Sequence, residues 1–127
     1  MDEAHGRRAV QRLKNLAPVQ DLFREMGLGT EDLRDVGYAV ARHSQWEEPS
    51  ARHRAYRLAA LMKDADGLDR VRIEDLDPKY LRHPEAKKMA RFAERLFWAS
   101  HGLAEGETHF GQIREIALDL DARERRS

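Results

Sequence analysis

An all-α fold is what this chain predicts, and three observations carry the prediction. Apolar residues recur at steps of three and four along most of the 127 residues, the step that lines one face of an α-helix. Proline and glycine fall where those stretches begin or end, at Pro18, Gly27, Gly29, Pro49, Pro84 and Gly102. No segment alternates apolar and polar residues as a half-buried strand would, and no repeat or low-complexity tract interrupts the pattern. A chain of this length suits one domain, residues 1–127, with a single core.

The first helix is expected over Arg7 to Ala17, with Ala9, Val10, Leu13, Leu16 and Ala17 on one side and Pro18 interrupting or ending it. Val19 to Met26 forms a second, carrying Leu22, Phe23 and Met26 and closed by Gly27 and Gly29. Thr30 reads as an N-cap, with Glu31 and Asp32 in a first turn where negative charge suits the helix dipole. That third helix runs to about His43, and its stripe Leu33, Val36, Val40 has His43 as its next position. Glu47-Glu48-Pro49-Ser50 makes a break, and Ser50 is placed to cap a fourth helix from Ala51 to about Asp66.

On the fourth helix Leu58, Leu61, Met62, Ala65 and Leu68 form the expected buried stripe. Asp64 borders it, and Asp69 would fall within it if the helix continued past Gly67. Val71, Ile73 and Leu76 form a short turn or extended connection, and Asp77-Pro78 opens a brief helical turn with Tyr80 and Leu81. Glu85 to Ser100 is the clearest helix, with Met89, Phe92, Ala93, Leu96 and Phe97 on one face and Trp98 near its end. After a Gly102–Gly106 loop, a last helix from about Thr108 to Arg125 aligns Phe110, Ile113, Ile116, Ala117 and Leu120. Tyr80, Phe97, Trp98 and Phe110 are all expected in the core, because each lies in or beside an apolar stripe.

Composition excludes several classes of function. Lys plus Arg equals Asp plus Glu at 23 each, so the formal net charge is zero and no global field draws the chain to nucleic acid or an anionic membrane. Charged residues make up 36% and the mean hydropathy is −0.79, which helix surfaces account for. The absence of cysteine excludes disulfides, thiolate metal sites and cysteine nucleophiles. The first residues lack the basic start and apolar run of a signal peptide, and no apolar stretch approaches the ~20 residues of a membrane span. A soluble, cytoplasmic protein is the expectation.

Chemistry concentrates in Lys63-Asp64-Ala65-Asp66-Gly67-Leu68-Asp69-Arg70, where acids enter an otherwise apolar helix. An ionised carboxylate beside a core needs a metal, a cation or several hydrogen bonds to offset its desolvation. This segment, followed by Leu76-Asp77-Pro78-Lys79-Tyr80-Leu81-Arg82, resembles the C-terminal half of HD-domain proteins, the helical metal-dependent phosphohydrolases. The resemblance covers roughly residues 4 to 98 and gives Asp64 the place of the last metal ligand, at the head of the family's D-A-D-x-L-D string. Arg42-His43-Ser44 and His5-Gly6-Arg7-Arg8-Ala9 are similar to segments that carry auxiliary metal or phosphate ligands in some members. The early His and the adjacent His-Asp pair that name the family are absent, and the similar region starts almost at Met1. The resemblance therefore implies an HD-type bundle without its first helices, as in a truncated, split or degenerate member.

It also implies a divalent ion (Mn, Ni, Fe, Co or Mg) held by Asp64, His43 and His5, with Lys63, Arg42 and Arg70 neutralising a phosphate ester. Each residue has a plainer role open to it. Asp64 could cap the Gly67 turn or pair with Arg70 or Arg54, and His43 could be a core histidine bonded to a carbonyl or to Asp64. His5 could fray with the chain start, and the three cations could be ordinary surface charge. His53, His83, His101 and His109 show no i, i+4 pairing and receive no role. Two functions follow as expectations. One is an HD-related phosphohydrolase, incomplete alone, whose missing ligands come from a second chain or subunit. The other is a catalytically inactive helical module for homo-oligomerisation or protein binding.

Overall fold

A computed structural model of the chain describes residues 4–103, 106 and 109–127, and divides it into two compact units, Met1–Asp66 and Gly67–Ser127. All regular structure among the described residues is helical, so the fold class is all-α. No described helix is long and apolar enough to cross a membrane.

The first unit opens with α1 (His5–Asn15), α2 (Ala17–Glu25) and α3 (Thr30–Arg42). Pro18 does not interrupt α1. It sits in the first turn of α2, where a missing N–H costs no helical hydrogen bond, so α2 begins earlier than Val19. Gly27, at φ 74°, ends α2 in the left-handed region: its N–H bonds the Arg24 carbonyl at 3.0 Å and the Leu28 N–H bonds the Phe23 carbonyl at 2.9 Å, satisfying carbonyls the helix leaves open. Gly29 rather than Thr30 occupies the N-cap of α3, and the Asp32 carboxylate accepts from its N–H at 2.8 Å. The third-position acid thus supplies the cap expected of Thr30.

The helix expected from Ala51 starts only at Tyr56 and runs through Gly67, giving α4 (Tyr56–Asp69). Side chains hold residues 50–55 in a turn instead. Ser50 Oγ accepts from the Arg52 N–H at 3.3 Å, and His53 Nδ1 accepts from the Ala55 N–H at 3.0 Å. Such local bonds compete with the helical ladder. Arg54 then ties this turn to α3, donating to Asp35 at 2.8 Å and to Glu31.

The inward face of α4 is also rotated from the expected one. Ala59, Ala60, Lys63 and Asp64 are buried, whereas Leu58, Leu61, Met62 and Ala65 are exposed. Asp69 lies outside the buried stripe too, paired with Arg72 at 2.7 Å on the surface. The apolar run Leu58-Ala59-Ala60-Leu61-Met62 covers every side of a helix and so carries no phase; the small alanines took the close-packed side.

The second unit carries two 3₁₀ turns, Arg70–Ile73 and Pro78–Tyr80, so the first connection takes the turn rather than the extended alternative. Glu74 closes the first in a left-handed conformation, φ 56°. Asp77 caps the second by accepting from the Lys79 N–H at 3.0 Å. Two helices follow, α5 (Pro84–Ser100) and α6 (His109–Arg126), packed on each other and joined by an Arg95–Glu124 ion pair. The residue expected to begin α6, Thr108, lies outside the described residues.

Among the described residues, the buried apolar ones are Ala39, Ala55, Ala59 and Ala60 in the first unit and Leu81, Ala86 and Ala90 in the second. Of the aromatic residues placed in the core by their spacing, Tyr80 is 70%, Trp98 64% and Phe110 78% exposed, while Phe97 is half-buried.

Candidate functional site

The site grows from the close approach of α1 to the C-terminal end of α3. A Cβ placed on Gly6 would lie 2.4 Å from the Val40 carbonyl oxygen and 3.2 Å from Ser44 Oγ. Only a residue without a side chain lets the two backbones meet there. Gly6 thereby sets His5, the first residue of α1, against His43, which follows the last residue of α3.

His5 Nε2 and His43 Nε2 are 2.9 Å apart, with ring centroids 4.8 Å apart at 75°. His43 Nδ1 lies 2.5 Å from the Val40 carbonyl oxygen. A carbonyl only accepts, so His43 Nδ1 carries the hydrogen and its Nε2 presents a lone pair in the neutral ring. The hydrogen between the two rings then belongs to His5 Nε2. A carbonyl-anchored Nδ1–H is also what orients a metal-bound histidine, though here the Nε2 lone pair accepts from His5. The carbonyl-bonded core histidine and the ligand histidine coincide in this geometry up to the atom at Nε2.

Asp64, on α4, is 1% exposed and takes part in polar interaction within the protein. Among the described residues no buried side-chain nitrogen or oxygen lacks a hydrogen-bond partner. Arg54, one cation open to Asp64, is instead engaged by Asp35 and Glu31. Arg70, the other, binds Asp75 through the carboxylate and, at 3.4 Å, the backbone carbonyl.

The cations expected to meet phosphate are placed as follows. Lys63 is 7% exposed and its Nζ donates to the Gln45 carbonyl at 2.5 Å, so its charge fastens α4 to the segment after α3. Arg42 donates to Gln45 Oε1 at 2.9 Å, lies 3.6 Å from Glu47, and holds its guanidinium 5.6 Å from the centre of the Tyr38 ring. Three of the singled-out residues, Arg42, His43 and Lys63, thus converge on the short segment ending α3.

The donor set can be tested against a metal. A catalytic divalent centre takes about three protein ligands and leaves a position for water. Among the described residues no group of three or more His, Cys, Asp or Glu is arranged to hold a metal ion. His5 and His43 meet, but the described residues do not complete a centre around them.

One feature had no signal in the sequence. Tyr38 and His53 stack with centroids 3.7 Å apart and an interplanar angle of 5°, brought together by the 50–55 turn. They line a groove of about 660 Å³ whose apolar walls are Val10, Leu33 and Gly37. Neither residue lies in a spacing pattern, and the turn that joins them replaces an expected helix.

Comparison of the chain with protein-family models, with curated proteins and with solved structures found no match.

Proposed function

We propose that the chain is related to HD-type metal-dependent phosphohydrolases of nucleotides or other phosphate esters, and that it is incomplete alone. The observation that supports this reading is the 2.9 Å approach of His5 and His43, two residues distant in sequence that the resemblance assigns to one ligand set. A second polypeptide, or a second copy, would provide the donors that the chain lacks for catalysis, while His5 and His43 alone would still hold a divalent ion weakly at millimolar concentration. A divalent ion bound there would acidify a water and screen phosphate charge. This chain's part would be to aim the His43 lone pair, fixed by the Val40 carbonyl, and to hold Asp64 out of solvent.

The test is thermal denaturation of the full chain with millimolar manganese, nickel or iron. Binding to the native state raises the transition temperature, and His43→Ala should abolish the rise. No response at any concentration, or one that His43→Ala leaves intact, would refute the reading.

A second reading, favoured by a different observation, is an association module without catalysis. Leu61 is 58%, Trp98 64% and Phe110 78% exposed, while most of the buried apolar residues among those described are alanine. Large apolar side chains left on the surface supply contact area that a protein partner would cover. Sedimentation of the purified chain as a monomer over the micromolar range would count against it.

A further inference from the structure

We infer that residues 50–55 form a pH-sensitive latch: with His53 neutral they are held as a turn, and proton uptake at its Nδ1 lets α4 grow back to Ala51. His53 Nδ1 accepts from the Ala55 N–H at 3.0 Å. A backbone N–H only donates, so Nδ1 is unprotonated and the neutral ring carries its hydrogen on Nε2. A proton on Nδ1 would set two N–H groups against each other and end the bond.

What that bond prevents is a helix. In an α-helix the Ala55 N–H would bond the Ala51 carbonyl, four residues back, and here the imidazole takes it instead. The rest of the turn is already in place. Ser50 Oγ accepts from the Arg52 N–H at 3.3 Å, the bond an N-cap also makes to the second helical residue, and the His53 N–H bonds the Ser50 carbonyl at 3.0 Å. The Tyr56 N–H reaches the His53 carbonyl at 2.9 Å, so the backbone between Ser50 and α4 coils in successive tight turns. Ala51, Arg52, Arg54 and Ala55 favour a helix, and neither glycine nor proline stands among them. Releasing the one N–H adds about one turn to α4.

The surroundings offer a charged ring no replacement for the lost bond. Tyr38 of α3 stacks on His53 at an interplanar angle of 5°, so an N–H in the plane of the imidazole runs parallel to the phenol ring instead of pointing at it. The Arg42 guanidinium, 5.6 Å from the centre of the Tyr38 ring, is met by Glu47 at 3.6 Å. Along the same groove stand Lys14 of α1, Glu31, Arg34 and Asp35 of α3, and Arg54 of the turn. Both acids are engaged by Arg54, and Glu31 also by Arg34 at 2.9 Å. No carboxylate of the groove is left over for an imidazolium, and the released form is the one that accommodates the proton. The turn's ties to α3, the Tyr38 stack and the Arg54 ion pairs, start at residues 53 and 54, so the latch reshapes one wall of the groove.

Carbon-13 Cα shifts of the full chain, followed with the imidazole signals from about pH 8 to about pH 5, test this. Residues 51–55 should move to helical values with the same midpoint as the His53 ring. In His53→Ala they should be helical at both ends of the range, and since the residue is exposed the fold should survive its loss. His101→Ala, an exposed histidine of the second unit, should leave the wild-type response in place. Shifts that stay constant through the His53 titration, or that move to disordered values, would overturn the inference. So would a response that persists in His53→Ala, or a His53→Ala variant whose residues 51–55 keep the turn.

Discussion

Replacing Gly6 by alanine should destabilise the first unit, against the usual benefit of alanine in a helix. Alanine is better than glycine by roughly 1 kcal/mol in a helix interior, and less in a first turn such as this one. The added Cβ, however, would lie 2.4 Å from the Val40 carbonyl oxygen, in backbone that cannot rotate away. Restoring an ordinary contact requires α1 and α3 to part by about 1 Å, and overpacking of this kind costs ~1–3 kcal/mol. The sum favours destabilisation by about 1–2 kcal/mol. Gly37→Ala is the matched control, because its Cβ would meet Val10 Cγ1 at 3.5 Å, an ordinary contact. That variant should gain about 0.5–1 kcal/mol, since only helix propensity and unfolded-state entropy change. Urea denaturation of both variants beside the wild type measures the difference, and nitrogen-15 spectra of the two imidazoles report whether His5 and His43 separate. If Gly6→Ala is as stabilising as Gly37→Ala, the close approach that sets His5 against His43 is wrong.

The remaining predictions concern backbone, charge and burial. Glu74, left-handed at φ 56°, pays a steric cost that glycine does not, so Glu74→Gly should raise stability by roughly 0.5–1 kcal/mol, and Gly27→Ala at φ 74° should lower it by at least as much; chemical denaturation reads both. Asp64→Ala removes a buried acceptor and leaves its polar partner unmatched, a loss of about 1–3 kcal/mol in the same assay, and an unchanged midpoint would place the carboxylate in solvent. Hydrogen bonds from the Lys79 side chain and then its backbone N–H hold the Asp77 carboxyl below the usual carboxylate range. Its contribution to stability is therefore complete above that range and lost as pH falls through the lowered value. The same pairing raises Lys79, whose contribution is complete below the ordinary lysine range and lost as pH rises through the raised value. Asp77→Asn should flatten both limbs of a plot of unfolding free energy against pH, and a plot identical to that of the wild type would refute the pairing.

Helix existence was legible wherever charged residues interrupt the apolar ones often enough to give the pattern a phase, as in α1, α3 and α5. The burial of Asp64 was legible from an acid set at the edge of an apolar run. The meeting of His5 and His43 was anticipated only through likeness to a family ligand set; no local rule relates residues so far apart. Two failures have definite causes. Along α4 five consecutive apolar residues mark no side as inward, and the start of that helix moved to Tyr56 because Ser50 and His53 bond the backbone of their own turn.

By itself, then, the order of residues determined that the chain is helical, where most helices begin and end, and that an acid would be withdrawn from water. Those are outcomes of spacing, capping and desolvation, which act over a few neighbouring residues. Tertiary structure alone decided which face of α4 turns inward, that Lys63 serves a carbonyl rather than the surface, and that Trp98 and Phe110 stay uncovered. Each of these depends on what lies opposite a side chain, and that is decided by steric fit between elements distant in the chain, such as the single missing Cβ at Gly6.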